Sequence, residues 1–223
     1  MKRAVVIVAG GSGTRMNSEI PKQFLLLKGM PILMHTVTRF HRFDSNMQLI
    51  IVLPKSEADR WERLCDEFHF SIAHQVVEGG STRFHSVKNG LALVDGNTIV
   101  GIHDGVRPLI ASNVIERCFA EAANGQSVVP TIPSVDSLRM VTNDGNIALD
   151  RSLIRLVQTP QVFPSSLLKS AYEQEYTPTF TDDASVVEAM GYPITLAEGN
   201  VENIKITNPL DLAIAERVFE SVI

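Results

Sequence analysis

Cysteine is scarce in this 223-residue chain, which has only Cys65 and Cys118. They form no CxxC pair and have no histidine at ligand spacing, so a zinc finger or a dithiol redox centre is excluded. The expectation is two free, buried thiols in a reducing compartment. Long apolar runs are missing as well. The N-terminal run ends in glycines at Gly10, too short for a signal sequence or for the ~20 apolar residues of a membrane span. A cytoplasmic protein with no membrane partner is expected. Basic residues are not in excess: 20 Lys and Arg face 25 Asp and Glu, for a net charge of −5. That balance argues against general nucleic-acid binding but permits a local cluster of cations in a cleft. Neither GxxxxGK[ST] nor GxGxxG occurs, so neither a Walker loop nor a dinucleotide fingerprint is present. HExxH, an activated cysteine and a Ser-His-Asp pattern are also lacking, which leaves hydrolase mechanisms without a footing.

What remains is an ordinary globular composition, 44% apolar and 20% charged, long enough for one α/β domain with a large core. Strand and helix signals alternate. Lys2 to Ala9 is a β-branched strand, Gln48 to Leu53 a second, Ile72 to Val77 a third, Thr98 to Ile102 a fourth and Ser127 to Ile132 a fifth. Between them lie helical stripes: Leu33, Val37 and Phe40; Trp61, Leu64 and Phe68; Phe84, Val87, Leu91 and Val94. Ser112 reads as the N-cap of a helix to about Ala123. This alternation predicts a doubly wound, mostly parallel sheet with helices on both faces. It breaks once. Residues 134–156 have no helical period, and Asp144-Gly145 between two β-prone runs signals a hairpin. An isolated hairpin is marginal in water, so this arm is expected to rest on something, with a second subunit as one candidate. After it, Val162-Phe163, Ile194 to Leu196 and Asn203 to Thr207 are strand-like. Thr181-Asp182-Asp183 caps a short helix, and Asn208-Pro209 opens the last one, with Leu210, Ile214 and Val218 on its apolar face. One domain spanning residues 1–223 with one projecting arm is the economical organisation.

In such a sheet, ligands bind at the carboxyl ends of the strands. Ala9-Gly10-Gly11-Ser12-Gly13 leaves the first strand, followed by Arg15 and Lys22. Glycines bring bare N–H groups against an anion, and the two cations favour a phosphate. Gly79 to Arg83 opens a helix that carries Ser86, a terminus suited to a base or a phosphate. Asp104 ends the fourth strand, with Arg107 three residues on. It is a candidate carboxylate for Mg²⁺ if a triphosphate occupies the cleft; a surface ion pair with Arg107 is the alternative. Lys205 alternates with apolar neighbours, so its ammonium faces away from them. His103 is read as structural, and Asp182-Asp183 as helix capping rather than a metal site. Cations around a central acid suit phosphoryl or nucleotidyl transfer, which needs positioning and charge stabilisation more than covalent help.

The ordered set AGGSGTRM, PKQF, VEGGSTRFHSV, HDGVRP, QTPQVF, TDDAS and NIKITNPLDL closely resembles the 2-C-methyl-D-erythritol 4-phosphate cytidylyltransferase family, from about Val5 to Ala215. The resemblance implies a Rossmann-like nucleotidyltransferase fold and a homodimer joined through β-arms. It implies a reaction of isoprenoid biosynthesis in which CTP and a polyol phosphate give a CDP-alcohol and pyrophosphate with Mg²⁺. By motif, Arg15 and Lys22 would stabilise the α-phosphate, and Ala9 to Gly13 would hold the triphosphate. Gly80, Arg83 and Ser86 would lie at the cytosine, and Asp104 would face metal and substrate. Arg107, Ser137, Thr159, Thr181 and Lys205 would line the acceptor pocket, and Arg151 of the other subunit's arm would grip the acceptor phosphate. Gly10 and Gly105-Val106 depart from the commoner alanines, and Ser137 from threonine. The Gly10-Gly11 pair also occurs in ribitol-5-phosphate cytidylyltransferases, which keeps that acceptor open. A nucleotide-binding module without catalysis is the alternative from another class.

Overall fold

The computed structural model describes residues 1–11 and 20–222. At its centre is β1 (Lys2–Val8), whose side chains are buried on both faces. Val5 and Ile7 belong to one apolar cluster, Ala4 and Val6 to another. Strands buried on both sides read as unbroken apolar runs, which is why KRAVVIV shows no polar alternation after its second residue. A short β2 (Leu26–Leu27) and β3 (Met30–Pro31) lead into α1 (Ile32–Phe43). Then follow β4 (Gln48–Leu53), α2 (Ala58–Glu67), β5 (Gln75–Glu78), α3 (Arg83–Ala92), β6 (Thr98–Asp104), α4 (Ser112–Ala123) and β7 (Val128–Pro133). The main sheet runs β10-β7-β11-β6-β1-β4-β5, with β12 also paired to β7. Here β10 is Arg155–Val157, β11 Gln161–Pro164 and β12 Thr195–Glu198. The β5-β4-β1-β6 half is parallel, as is β7-β12, whereas β11 and β10 run antiparallel to their neighbours. The doubly wound, mostly parallel α/β architecture expected from the alternation is therefore present.

Helices cover both faces. Leu33, Val37 and Phe40 of α1, Trp61 of α2, and Val114, Cys118 and Phe119 of α4 pack on one side. Phe84, Val87 and Leu91 of α3 pack on the other, with Leu168 of α5 (Ser165–Ala171) and Val186 and Val187 of α6 (Asp183–Glu188). The contact of α3 is close because Gly90 lies directly over the sheet. A Cβ there would stand 2.4 Å from Val6 Cγ1 and 3.0 Å from Val52 Cγ2. Gly90→Ala gains roughly 1 kcal/mol of helix propensity but overpacks a rigid core, at about 1–3 kcal/mol. Net destabilisation on the order of 1 kcal/mol is expected, read as a lower urea midpoint at unchanged m. A rise in the midpoint would show that α3 can lift off the sheet.

Several expectations are corrected. Ser112 is the first residue of α4, not its cap. Ala111 precedes the helix with no side-chain cap, and its N–H is taken by Asn200 Oδ1 at 3.1 Å. Residues 203–207 form no ladder. They run as irregular chain pinned by Ile206 N–H to the Val106 carbonyl at 3.0 Å. In α7 (Pro209–Val222), Leu210 and Ile214 are exposed, while Ala215 is buried and Leu212, Val218 and Phe219 pack beside it. The way α7 docks on Leu27, Ile32 and Ile206 sets the buried stripe. Neither cysteine is paired. Cys118 is buried but Cys65 only partly, and burial pushes the two thiols up to about 12 and about 11. Among the described residues no helix is long and apolar enough to cross a membrane.

The hairpin is as anticipated, β8 (Leu138–Thr142) against β9 (Gly145–Leu149). These two strands form a sheet of their own, with Met140, Val141 and Ile147 exposed.

Candidate active site

Parallel register brings the loops together. Val8 stands beside Asp104 across β1 and β6. Gly105 N–H then donates to the Val8 carbonyl (2.9 Å), Ala9 N–H to that of Val52 (2.9 Å), and Gly79 N–H to that of Leu53 (2.8 Å). Three strand ends thus converge on a cavity of about 260 Å³, lined by Ala9, Gly10, Gly11, Lys22, Gly80, Arg83, Ser86, Asp104 and Lys205, among others. Ser12, Gly13 and Arg15 lie outside the described residues.

Lys22 opens a single 3-10 turn after Pro21. Its chain lies over Gly11, where a Cβ would fall 3.3 Å from Lys22 Cε and 3.8 Å from Nζ. A side chain at position 11 would push that ammonium aside, so glycine here permits a cation to sit close over the backbone of the turn. Across the cavity, Gly80 N–H donates to Ser86 Oγ (3.1 Å), which in turn donates to the Thr82 carbonyl (2.9 Å). Thr82 is the N-cap of α3. Ser86 thereby ties the glycine turn to the first turn of α3.

Asp104 is the electrostatic centre. Its Oδ2 accepts from Arg107 Nε at 3.0 Å and pairs with Lys205 Nζ at 3.2 Å, and Arg83 Nε stands 4.0 Å from Oδ1. Burial works against its charge, but Arg83, Lys205 and Arg107 outweigh it and hold the carboxyl well below the usual range. Arg107 also donates to the Asn203 carbonyl at 2.7 Å. That bond steadies the irregular 203–206 segment and delivers Lys205, so the expected ammonium arrives without the expected strand.

Beneath Asp104 runs a buried relay. Asp104 N–H donates to Thr159 Oγ1 (3.1 Å), Thr159 is bonded to His103 Nδ1 (3.0 Å), and His103 Nε2 to the Arg107 carbonyl (3.1 Å). Burial lowers His103 to about 4. The imidazole is therefore neutral at pH 7, accepting from Thr159 and donating to Arg107. His103 is structural, as read from the sequence. Thr159, expected on the acceptor pocket, is buried and fully engaged in this relay.

Arg83 meets Asp183 in a bidentate pair, Nη1 to Oδ1 at 3.0 Å and Nη2 to Oδ2 at 2.7 Å. Burial opposes its charge, while the Asp183 carboxylate more than compensates and raises Arg83 above its ordinary value. Only Asp182 is the cap, in a capping box with Ser185. The capping expectation thus holds for one of the two acids. Asp183 and the Tyr172 hydroxyl that binds it escaped sequence reasoning, because nothing in the local pattern pairs residue 183 with residue 83.

Three candidates stand apart from the cavity. Ser137 and Thr181 are exposed and do not line it. Arg151 lies at the foot of the hairpin, exposed, its Nη1 donating to the Val135 carbonyl. Gln23, which sequence reasoning passed over, lines the cavity.

Chemically, the cations Lys22, Arg83, Arg107 and Lys205 stand in or beside the described part of the site against two acids, Asp104 and Asp183, which leaves surplus positive charge. Such a cavity accepts polyanions. Among the described residues no group of three or more His, Cys, Asp or Glu could hold a metal ion, and Asp104 is the one acid lining the cavity.

The sequence profile of the 2-C-methyl-D-erythritol 4-phosphate cytidylyltransferase family matches residues 3–221. A protein of that name from Bacteroides fragilis is 59% identical over 215 residues, covering 96% of this chain and 98% of that protein. One of the same name from Bacillus velezensis is 36% identical over 226 residues, covering 99% and 97%. The crystal structure of 2-C-methyl-D-erythritol 4-phosphate cytidylyltransferase from Thermus thermophilus superposes with a TM-score of 0.79 at 29% identity, covering 99% of this chain and all of that one. With its parallel sheet, its strand-end loops and its cationic cavity, this chain belongs to the 2-C-methyl-D-erythritol 4-phosphate cytidylyltransferase family.

Proposed function

We propose that the cavity performs cytidylyl transfer as follows. The glycine turn after β1 and Lys22 hold the triphosphate of CTP, and the base lies toward Gly80, Arg83 and Ser86. An oxygen of the acceptor's phosphate attacks the α-phosphorus, the bond from that phosphorus to the bridging oxygen of the β-phosphate breaks, and pyrophosphate leaves. Negative charge grows on the α-phosphate oxygens in the transition state, and Lys22 with Arg15 stabilises it. Lys205 and Arg107 hold the acceptor side. The observation that carries this reading is the convergence of Arg83, Arg107 and Lys205 on one buried carboxylate at the ends of β1 and β6, in a cavity that Lys22 also lines.

Mg²⁺ fits this arrangement in one mode. It takes one or two protein carboxylates and completes its shell with phosphate oxygens and water. Asp104 supplies one carboxylate, and its Oδ1 lies 4.0 Å from Arg83 Nε. With Lys205 and Arg107 already on Oδ2, the site favours a metal that arrives with the triphosphate. Bound there, Mg²⁺ would neutralise phosphate charge.

The arm suits a homodimer. Val135, Met140, Val141, Ile147 and Leu153 are exposed along or beside the hairpin, and a second copy would cover them. Arg151 lies outside its own chain's cavity, so it would act in the partner's. Pyrophosphate release from CTP and Mg²⁺ with 2-C-methyl-D-erythritol 4-phosphate, and not with ribitol 5-phosphate, is the expected outcome. The shared site predicts complementation. A mixture of Lys22→Ala and Arg151→Ala chains, unfolded and refolded together, should regain activity, since one of the two sites in a mixed dimer is intact. No recovery beyond either variant alone would refute the contribution of Arg151 across the dimer.

A further inference from the structure

We infer that Asp183, braced by Tyr172, is a positioning residue that fastens Arg83 to the cavity wall and keeps it off Asp104. The inference rests on the reading of Arg83 as a nucleotide-side group of the cavity.

Asp183 is fully buried and cannot be a solvated helix-cap acid. Both its oxygens are committed: Oδ1 to Arg83 Nη1 (3.0 Å) and to the Tyr172 hydroxyl (2.6 Å), Oδ2 to Arg83 Nη2 (2.7 Å). Tyr172 is itself buried and stacked on Phe84, the residue after Arg83, with ring centroids 4.6 Å apart. The N-terminus of α6 that carries Asp183 is anchored independently. Buried Gln161 accepts from Ala184 N–H (2.8 Å) and donates to Asp182 Oδ2 (2.8 Å). The carboxylate is thus fixed by the sheet through Gln161, by the helix cap and by a core tyrosine, before Arg83 is considered.

Without it, Arg83 has one carboxylate within reach among the described residues. Its Nε already stands 4.0 Å from Asp104 Oδ1, while Arg107 and Lys205 meet Oδ2 at 3.0 and 3.2 Å. An unpaired, part-buried guanidinium would close that gap. Asp104 would then take Arg83 as a closer partner, and the wall beside Gly80 and Ser86 would lose its donor. Asp183 keeps two cationic groups of the cavity in separate places, with Arg83 on one side and Lys205 with Arg107 on the other. It acts wholly through Arg83, which is what separates it from a core residue that merely supports the fold.

The test is a double-mutant cycle on kcat/KM for CTP with Arg83→Met, Asp183→Asn and the two combined. Asp183→Asn should lose roughly ten- to a hundred-fold, the scale of a hydrogen bond to a charged group. The combined variant should lie within about threefold of Arg83→Met alone, because removing Asp183 has no route to act once Arg83 is gone. Multiplying losses, or a folded Asp183→Asn enzyme with unchanged kcat/KM, would overturn the inference. If Asp183→Asn does not fold, Tyr172→Phe takes its place. A several-fold loss that vanishes in the Arg83→Met background is expected, and an equal loss in both backgrounds overturns it. An Arg83→Met enzyme with normal kcat/KM would instead defeat the reading of Arg83 itself, and the inference with it.

Discussion

Lys22→Ala is expected to lower kcat by on the order of a hundred- to a thousand-fold while KM for CTP changes far less. The charge on the α-phosphate is larger in the transition state than in bound CTP, so a cation aimed at it acts mainly on turnover. In the proposed reading Lys22 has that task. Pro21 begins the turn, Gln23 and Phe24 are buried behind it, and Gly11 leaves room for the ammonium over the loop. Lys22→Arg should rescue poorly, since a planar fork does not occupy the space of a compact ammonium. Steady-state kinetics with CTP binding by calorimetry would separate the two terms. A variant with weakened CTP binding and normal kcat would show that Lys22 only holds the ground state.

Asp104→Asn should affect stability and turnover together. Loss of one partner from a buried ionic cluster costs about 3–5 kcal/mol, because the opposing charges stay buried. Arg83 acts most strongly on the carboxylate, and Arg107 is part-buried and hydrogen-bonded to it at 3.0 Å. Lys205 is two-fifths exposed, so water screens its share. The pH dependence has a definite sign. The folded carboxyl is held below its unfolded value, so the unfolded chain binds the proton more readily. The stabilisation is complete above the ordinary aspartate range near ~3.9 and is lost as pH falls below it toward the folded value. Wild-type melting temperature should therefore drop more steeply below about pH 4 than that of Asp104→Asn. Parallel acid limbs would mean that Asp104 is not the group whose charge the cluster stabilises. A large loss of turnover in the variant should accompany the change, since the same carboxylate sets the places of Lys205 and Arg107.

The contrast between Asp104 and Asp183 shows where sequence reading reaches and where it stops. Asp104 was legible because it ends a strand whose buried, apolar run is itself legible, and because strand ends in a parallel sheet share one edge. Asp183 sits in an acidic helix start, where capping is the commoner explanation, and for Asp182 that explanation is right. Its partner is 100 residues away, and no local period carries that information. Lys205 was found through the alternation of Ile204, Lys205 and Ile206, although the ladder this alternation implied is missing. The side chain still points to Asp104 because tertiary bonds from Arg107 and Val106 hold the segment in place. The stripe of α7 failed in part for the opposite reason. Leu210, Ile214 and Val218 have helical spacing, but so do Leu212, Ala215 and Phe219, and docking buries the second set together with Val218 while leaving Leu210 and Ile214 exposed.

By itself, then, the sequence determined the elements and their order, the strand-end loops and the residue types that face a polyanion. These depend on local backbone preference and on burial period, which act over a few residues. The tertiary structure decided which charges meet: that Arg83 is tied to Asp183, that Asp104 gathers Arg107 and Lys205, and that Thr159 and His103 lie beneath it rather than in the cavity. Those pairings follow from how α3, α6 and the irregular 203–207 segment, distant in the chain, dock beside the strand ends. Electrostatic and hydrogen-bond energies depend on separations of a few ångströms, which no spacing along the chain specifies.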